Sequence, residues 1–253
     1  MSSPLPQTPS LRLDGRRAVV TGAGRGIGLA AAAALAQAGA QVTLVARSEG
    51  EIQAAAQAIG NGAIAIALDI RDLKAVAAFF ARENPFHILV NNAGTNRPRS
   101  FVEVDESDYA AVMGLNLKSA FFVAQHCARR MIDSGIRGSL IHLSSQMGKV
   151  GGANRSLYCA SKWGLEGMSK AIALDLAPHD IRSNTICPTF IETPLTRTYF
   201  EDPVFLDSVL EKIKLGRLGK VEDLMGAIGF LASDASALMT GTSLVIDGGW
   251  TTD

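Results

Sequence analysis

Tyr158 and Lys162 set a phenol and an ammonium four residues apart, which on a helix puts them on one face, one turn from each other. A free phenol titrates near ~10 and is a poor base at neutral pH unless a neighbouring cation favours the phenolate. Lys162 is spaced to be that cation. Taken alone, such a pair is common on helix surfaces and needs companions before it signifies chemistry. Two hydroxyls, Ser144 and Ser145, follow the apolar run 139–143 and offer a group to polarise a carbonyl oxygen. The histidines His87, His126, His142 and His179 show no metal-ligand spacing and read as structural.

A second constellation lies near the start, in Thr21-Gly22-Ala23-Gly24-Arg25-Gly26-Ile27-Gly28. Its glycines miss the G-x-G-x-x-G frame of the dinucleotide fingerprint, yet the stretch follows an apolar run and opens an alanine-rich helical pattern. In that context missing side chains let the main chain turn tightly and approach a pyrophosphate, while the free N–H groups and dipole of the helix favour negative charge. Asp69, at the end of the third apolar run, is otherwise read as a turn or helix cap.

Positioning these groups requires a scaffold of short β-branched runs alternating with longer helical segments. Seven strand candidates stand at 17–21, 41–46, 63–69, 87–91, 139–144, 182–187 and 243–247. They are apolar at nearly every position, as expected where helices cover a parallel sheet on both faces. Helix candidates such as 27–38, before Gly39, and 72–83, before Pro85, have visible stops. The fold expected is a single α/β domain over 13–253, preceded by a loose tail, 1–12. The segment 194–216, strand-poor and charge-mixed, is an excursion of the kind that forms a lid over a site.

Bulk composition excludes several function classes. The 253 residues are 47% hydrophobic and 19% charged, with 24 basic against 24 acidic side chains. That balance fits one globular unit and offers no field for nucleic acid or acidic lipid. Apolar runs are too short or too broken to span a bilayer, and the N-terminus lacks an h-region. Cys127, Cys159 and Cys187 have no C-x-x-C spacing, consistent with buried thiols in a reduced cytoplasm.

The spacing Gly22-x-x-x-Gly26-x-Gly28, the stretch Asn91-Asn92-Ala93-Gly94, Ser145 thirteen residues before Tyr158, the Tyr158-x-x-x-Lys162 pair and the close Gly241 to Gly249 (GTSLVIDGG) resemble the short-chain dehydrogenase/reductase family. The resemblance covers nearly the whole chain after residue 12. It implies a Rossmann-like doubly wound sheet of seven parallel strands and hydride transfer between a nicotinamide and a carbonyl or secondary alcohol, without metal. In that reading Tyr158 is the general acid/base, Ser145 positions the substrate oxygen, and Lys162 tunes Tyr158 and binds ribose. Asn116, in Leu115-Asn116-Leu117-Lys118, resembles the family's helix-breaking asparagine, although a solvent-facing Asn is the alternative.

The same resemblance assigns cofactor contacts to Gly22, Gly24, Arg25, Gly26, Ile27 and Gly28, to Asp69 and Ile70 on the adenine side, and to Asn92, Ala93 and Gly94. Pro188, Ile191 and Thr193 match the positions that hold the carboxamide, with Thr189 standing where relatives usually carry Gly. NAD-using relatives place an acid where this chain has Ala46, followed by Arg47, so NADP(H) is favoured over NAD(H), Arg25 supplying a second positive charge. Gln146, Arg97 and Arg155 are candidates for a polar substrate pocket, the arginines being equally able to face solvent or pair with nearby acids. Helices over 109–131 and 157–177 correspond to those that relatives use to form homodimers or homotetramers. A catalytically silent nucleotide sensor of the same fold is the rival reading, disfavoured because Ser145, Tyr158 and Lys162 are all present. The chain is expected to be cytoplasmic, taking a small ketone or alcohol and no nucleic acid or membrane.

Overall fold

A computed structural model describes residues 5–194 and 196–252; residues 1–4 of the expected tail, Leu195 of the 194–216 segment and Asp253 lie outside the described residues. In chain order it runs β1 (Arg17–Thr21), α1 (Gly26–Gln37), β2 (Gln41–Ala46), α2 (Glu49–Ile59), β3 (Ile64–Ala67), α3 (Leu73–Arg82) and β4 (Ile88–Asn91). Then come α4 (Glu106–Met113), α5 (Ala120–Asp133), β5 (Ser139–Leu143), α6 (Ser156–Leu176), β6 (Arg182–Pro188), α7 (Pro203–Lys212), α8 (Glu222–Ala232) and β7 (Ser243–Ile246).

The seven strands form one parallel sheet in the order β3-β2-β1-β4-β5-β6-β7. Strand order reverses between β1 and β4, and a crevice therefore opens there at the carboxyl ends. Side chains of one strand alternate between two cores. Ala18 and Val20 join Leu35, Ile141, Leu224 and Leu231 beneath α1 and α8, whereas Val19 joins Phe79, Phe80, Leu89, Val123 and Met131 beneath α3 and α5. The alanine run of α1 combines high helix propensity with small side chains, which lets the helix lie close to the sheet. Asp72 caps α3 by accepting from Lys74 N and Ala75 N, a directional start worth about 1 kcal/mol.

Helices cover the five central strands as expected, but the edges differ. Ile64 in β3 is 48% exposed and Val245 in β7 is 40% exposed, because an edge strand has a neighbour on one side only. The 194–216 segment is strand-poor as expected and carries a 3-10 turn at Arg197–Glu201 and α7 beyond it. Among the described residues no helix is long and apolar enough to cross a membrane.

Candidate active site

A cavity of about 830 Å³ opens at the carboxyl ends of the strands. Of the residues singled out in the sequence for catalysis, cofactor or substrate, all line it except Asn116. Its nucleotide end is built from main chain. Gly22 takes a left-handed φ of 66°, and a Cβ there would sit 2.9 Å from Ala93 Cα. A Cβ on Gly28 would overlap the carbonyl oxygen of Gly22 and the side-chain amide of Asn92. That amide donates to the carbonyls of Thr21 (3.0 Å) and Gly22 (3.2 Å), which locks the glycine turn to β4. The first turn of α1 holds no acid and no side-chain cap, leaving its N–H groups to an anion in the cavity. The cradle, which side chains would fill, fits a dinucleotide pyrophosphate.

Around this cradle the charges are paired and open to water. Arg25 meets Glu51 at 3.3 Å, and Asp69 accepts a two-pronged bond from Arg71 at 2.6 Å that holds its carboxyl below the usual range. Asp69 thus caps its own turn, by accepting from Arg71 N, and walls the cavity as well. Arg47 is exposed just beyond β2, next to Ala46.

The floor of the cavity is buried. Ser145 leaves the end of β5, donates to Gln146 Oε1 (2.8 Å) and accepts from Met147 N (3.1 Å). Lys162 Nζ donates to the carbonyl of Leu143 (2.7 Å) and stands 5.5 Å from the centre of the Tyr158 ring. Burial pushes Lys162 down to about 8. Burial raises the Tyr158 phenol, opposed by its hydrogen bond with Ser145 and by the charge of Arg155. Asn116 is 2% exposed, which rules out a solvent-facing role. It sits in a π-turn, Gly114–Ser119, between α4 and α5, where the ordinary helical ladder is interrupted. Its side chain bonds both main-chain groups of Thr95 (2.8 and 2.9 Å) and Ser161 Oγ (3.1 Å), tying the loop after β4 to α6.

The substrate candidates part company. Gln146 is buried against Ser145. Arg97 is half exposed and pairs with the buried Asp108 at 3.1 Å. Arg155 is buried, its guanidinium 5.6 Å from the centre of the Tyr199 ring. Pro194, Thr196 and Tyr199 bring the 194–216 segment to the cavity wall.

Sequence reasoning missed one element of the floor. Lys149 Nζ meets Glu166 Oε2 at 2.5 Å and Ser243 Oγ at 2.7 Å, and Ser243 Oγ also donates to that carboxylate. Cys187 Sγ donates to Glu166 Oε1 at 3.3 Å. These bonds bring the buried Glu166 carboxyl down to about 2 although burial opposes it. They clamp the turn after Ser145 onto α6, an approach so close that a Cβ on Gly148 would lie 3.3 Å from the carbonyl of Lys162. The available signal was Glu166 lying one turn after Lys162, on the same helix face.

The family model described as Enoyl-(Acyl carrier protein) reductase matches residues 22–251. The chain is 37% identical to the D-erythrulose reductase of Gallus gallus over 242 residues, covering 96% of this chain and 98% of the relative. Among solved structures it is similar to a short-chain type dehydrogenase/reductase from Mycobacterium marinum, with 34% identity, a TM-score of 0.91, and 96% and 98% of the two chains covered. It is also similar to a gluconate 5-dehydrogenase from Burkholderia cenocepacia J2315 in complex with NADP and tartrate, with 37% identity, a TM-score of 0.92, and 96% and 98% coverage.

Proposed function

This chain belongs to the short-chain dehydrogenase/reductase family of NAD(P)-dependent oxidoreductases, and we propose that it interconverts a carbonyl and a secondary alcohol on a small polar substrate with Tyr158 moving the proton. The observation that carries this reading is the convergence of Ser145, Tyr158 and the buried Lys162 on one wall of a cavity whose other end is a glycine cradle. A nicotinamide dinucleotide bound there supplies the hydride donor or acceptor and, when oxidised, a positive charge beside the phenol. The Tyr158 phenol gives its proton to the substrate oxygen in reduction and takes it back in oxidation. Ser145 holds that oxygen by a hydrogen bond. Lys162 lends positive charge to the Tyr158 oxygen, and its depressed pKa makes that charge sensitive to pH just above neutrality. Asn116 acts by position, holding α6 against the loop after β4.

NADP(H) is the preferred cofactor in this reading. Ala46 presents no carboxylate to a ribose hydroxyl and Arg47 is exposed beside it, while the Glu51 partner of Arg25 is a half-exposed pair worth about 0–1 kcal/mol, which a phosphate dianion displaces. The 194–216 segment serves as the substrate lid. A homodimer or homotetramer is supported by the apolar side chains Phe121 and Trp163, exposed on α5 and α6. The deciding experiment compares wild type with Tyr158→Phe on small polyhydroxy ketones, following NADPH absorbance. The variant is expected to lose about 10³-fold in kcat while still binding NADPH; turnover that survives the change refutes the assignment.

A further inference from the structure

Among the described residues five arginines line the cavity; Arg47 is exposed beyond β2 at the nucleotide end, and the other four fall into two kinds. Arg25, Arg71 and Arg97 stand at the rim, each held by a carboxylate from Glu51, Asp69 or Asp108. Arg155 is only 8% exposed and lines the cavity, and among the described residues its guanidinium donates no hydrogen bond and meets no carboxylate. Its guanidinium faces the ring of Tyr199, and its charge also acts on the Tyr158 phenol. A guanidinium stays protonated at any pH a protein survives and carries five N–H donors. Buried without a counter-charge it is disfavoured, and an anion entering the cavity removes that cost.

Position and support point the same way. Arg155 is the N-cap residue of the 21-residue α6, three residues before Tyr158, so the positive end of the helix adds to its charge. Its stem packs against Gly152, where a Cβ would lie 3.3 Å from Arg155 Cγ, so the side chain is seated. Among the described residues, Oδ1 of Asn96 and Oγ1 of Thr189 are buried polar atoms on the cavity wall without hydrogen-bond partners. Those atoms suit hydroxyls. The planar fork of a guanidinium suits a carboxylate.

We infer that the substrate carries a carboxylate, seated on Arg155 under the ring of Tyr199, and is therefore a hydroxy acid or its oxo counterpart rather than a neutral sugar or polyol. This rests on the hydride-transfer reading of the same cavity. Arg97, already committed to Asp108, plays no direct part in it.

The test assays D-gluconate against D-glucitol and lactate against propane-1,2-diol with NADP, and adds glycerol 3-phosphate against glycerol to separate phosphate from carboxylate recognition. Wild type is expected to prefer the acid of a carboxylate pair by about 100-fold in kcat/KM, and Arg155→Met to erase that preference. Arg155→Lys, which keeps the charge and loses the fork, recovers part of it. A wild-type preference for the neutral or phosphorylated member, or an acid-to-neutral ratio unmoved by Arg155→Met, overturns the inference. Binding of sodium malonate is measured by calorimetry on the same proteins in parallel. Saturable binding in wild type that Arg155→Met abolishes sustains the carboxylate site even where nothing turns over, an outcome that would instead refute hydride transfer. Equal binding, or none, sinks the site itself.

Discussion

At the nucleotide end of the cavity, Gly22 to Gly28 offer main-chain N–H groups and room, and the charges beside them, Arg25 with Glu51 and Asp69 with Arg71, are largely in solvent. At the floor of the cavity, Ser145, Lys162 and Glu166 are buried and bonded to groups from β5, β6, β7 and the turn between β5 and α6. The difference separates two ways of making a site. Solvent screens the rim charges, so their loss changes affinity in small steps. Buried polar groups depend on one another, so removing one strands its partners.

The mutual dependence of the buried groups is tested most directly at Glu166. Glu166→Leu leaves the Lys149 ammonium without its carboxylate and is expected to destabilise the fold by about 3 kcal/mol, or roughly 6–12 °C in Tm for a chain of this size. Glu166→Gln, which keeps the shape and some bonds, should lose less. A calorimetric Tm within a degree of wild type for the leucine variant removes the case for a braced floor.

Next in size is Gly28→Ala, where the new methyl collides with the Gly22 carbonyl. Overpacking of about 1–3 kcal/mol corresponds to NADPH binding weakened roughly 5- to 150-fold, read by fluorescence titration. Here the rim is as unforgiving as the floor, because the cradle is defined by space rather than charge. Unaltered affinity would show that the glycine loop does not hold the nucleotide.

Acid sharpens the contrast in a graded way. His142 is held down at about 4 by burial, and Glu166 at about 2 by its bonds, against ordinary values of 6.5 and 4.5. In both cases the unfolded chain binds the proton at a higher pH than the folded one. The stability is therefore full above pH 6.5 and falls as pH drops, first through His142 down to about 4, then through Glu166 from 4.5 to about 2. Melting curves should show this loss, and Glu166→Gln should flatten its lower part. A lower limb unchanged in the variant contradicts the assignment to Glu166.

The smallest effect is expected at Glu51→Gln, which frees Arg25 for a phosphate. NADPH should bind about 2- to 5-fold more tightly, with NADH unaffected and the gain shrinking at high salt. Weaker NADPH binding in this variant would mean that Glu51 itself touches the nucleotide.

Much of this architecture was legible because local rules govern it. The runs 17–21 and 41–46 are β1 and β2 residue for residue, since a parallel strand covered on both faces is apolar at nearly every position. β3 and β7 are shorter than their apolar runs, 64–67 within 63–69 and 243–246 within 243–247, because pairing at an edge ends where the single neighbour does. Helix α7 was hidden by its mixed charge, although Asp202 followed by Pro203 is a readable start, a cap and a pre-set first residue. The π-turn at Asn116 has no composition of its own. It exists because the side chain is claimed by Thr95 and Ser161 from other elements.

Residue types alone determined which chemistry is available: a phenol beside an ammonium, a hydroxyl after a strand, glycines that leave main-chain N–H groups open to an anion. What only the tertiary structure decided is which of those groups are already satisfied. Arg97 and Arg155 are equivalent in sequence, two arginines in loops near the same strands, yet folding brings Asp108 to the first and, among the described residues, no carboxylate to the second. Lys149 and Glu166 likewise meet directly only in the folded chain, where β7 adds Ser243 as a partner to both. Charge pairing depends on distance and burial, and both are set by elements far apart in the chain.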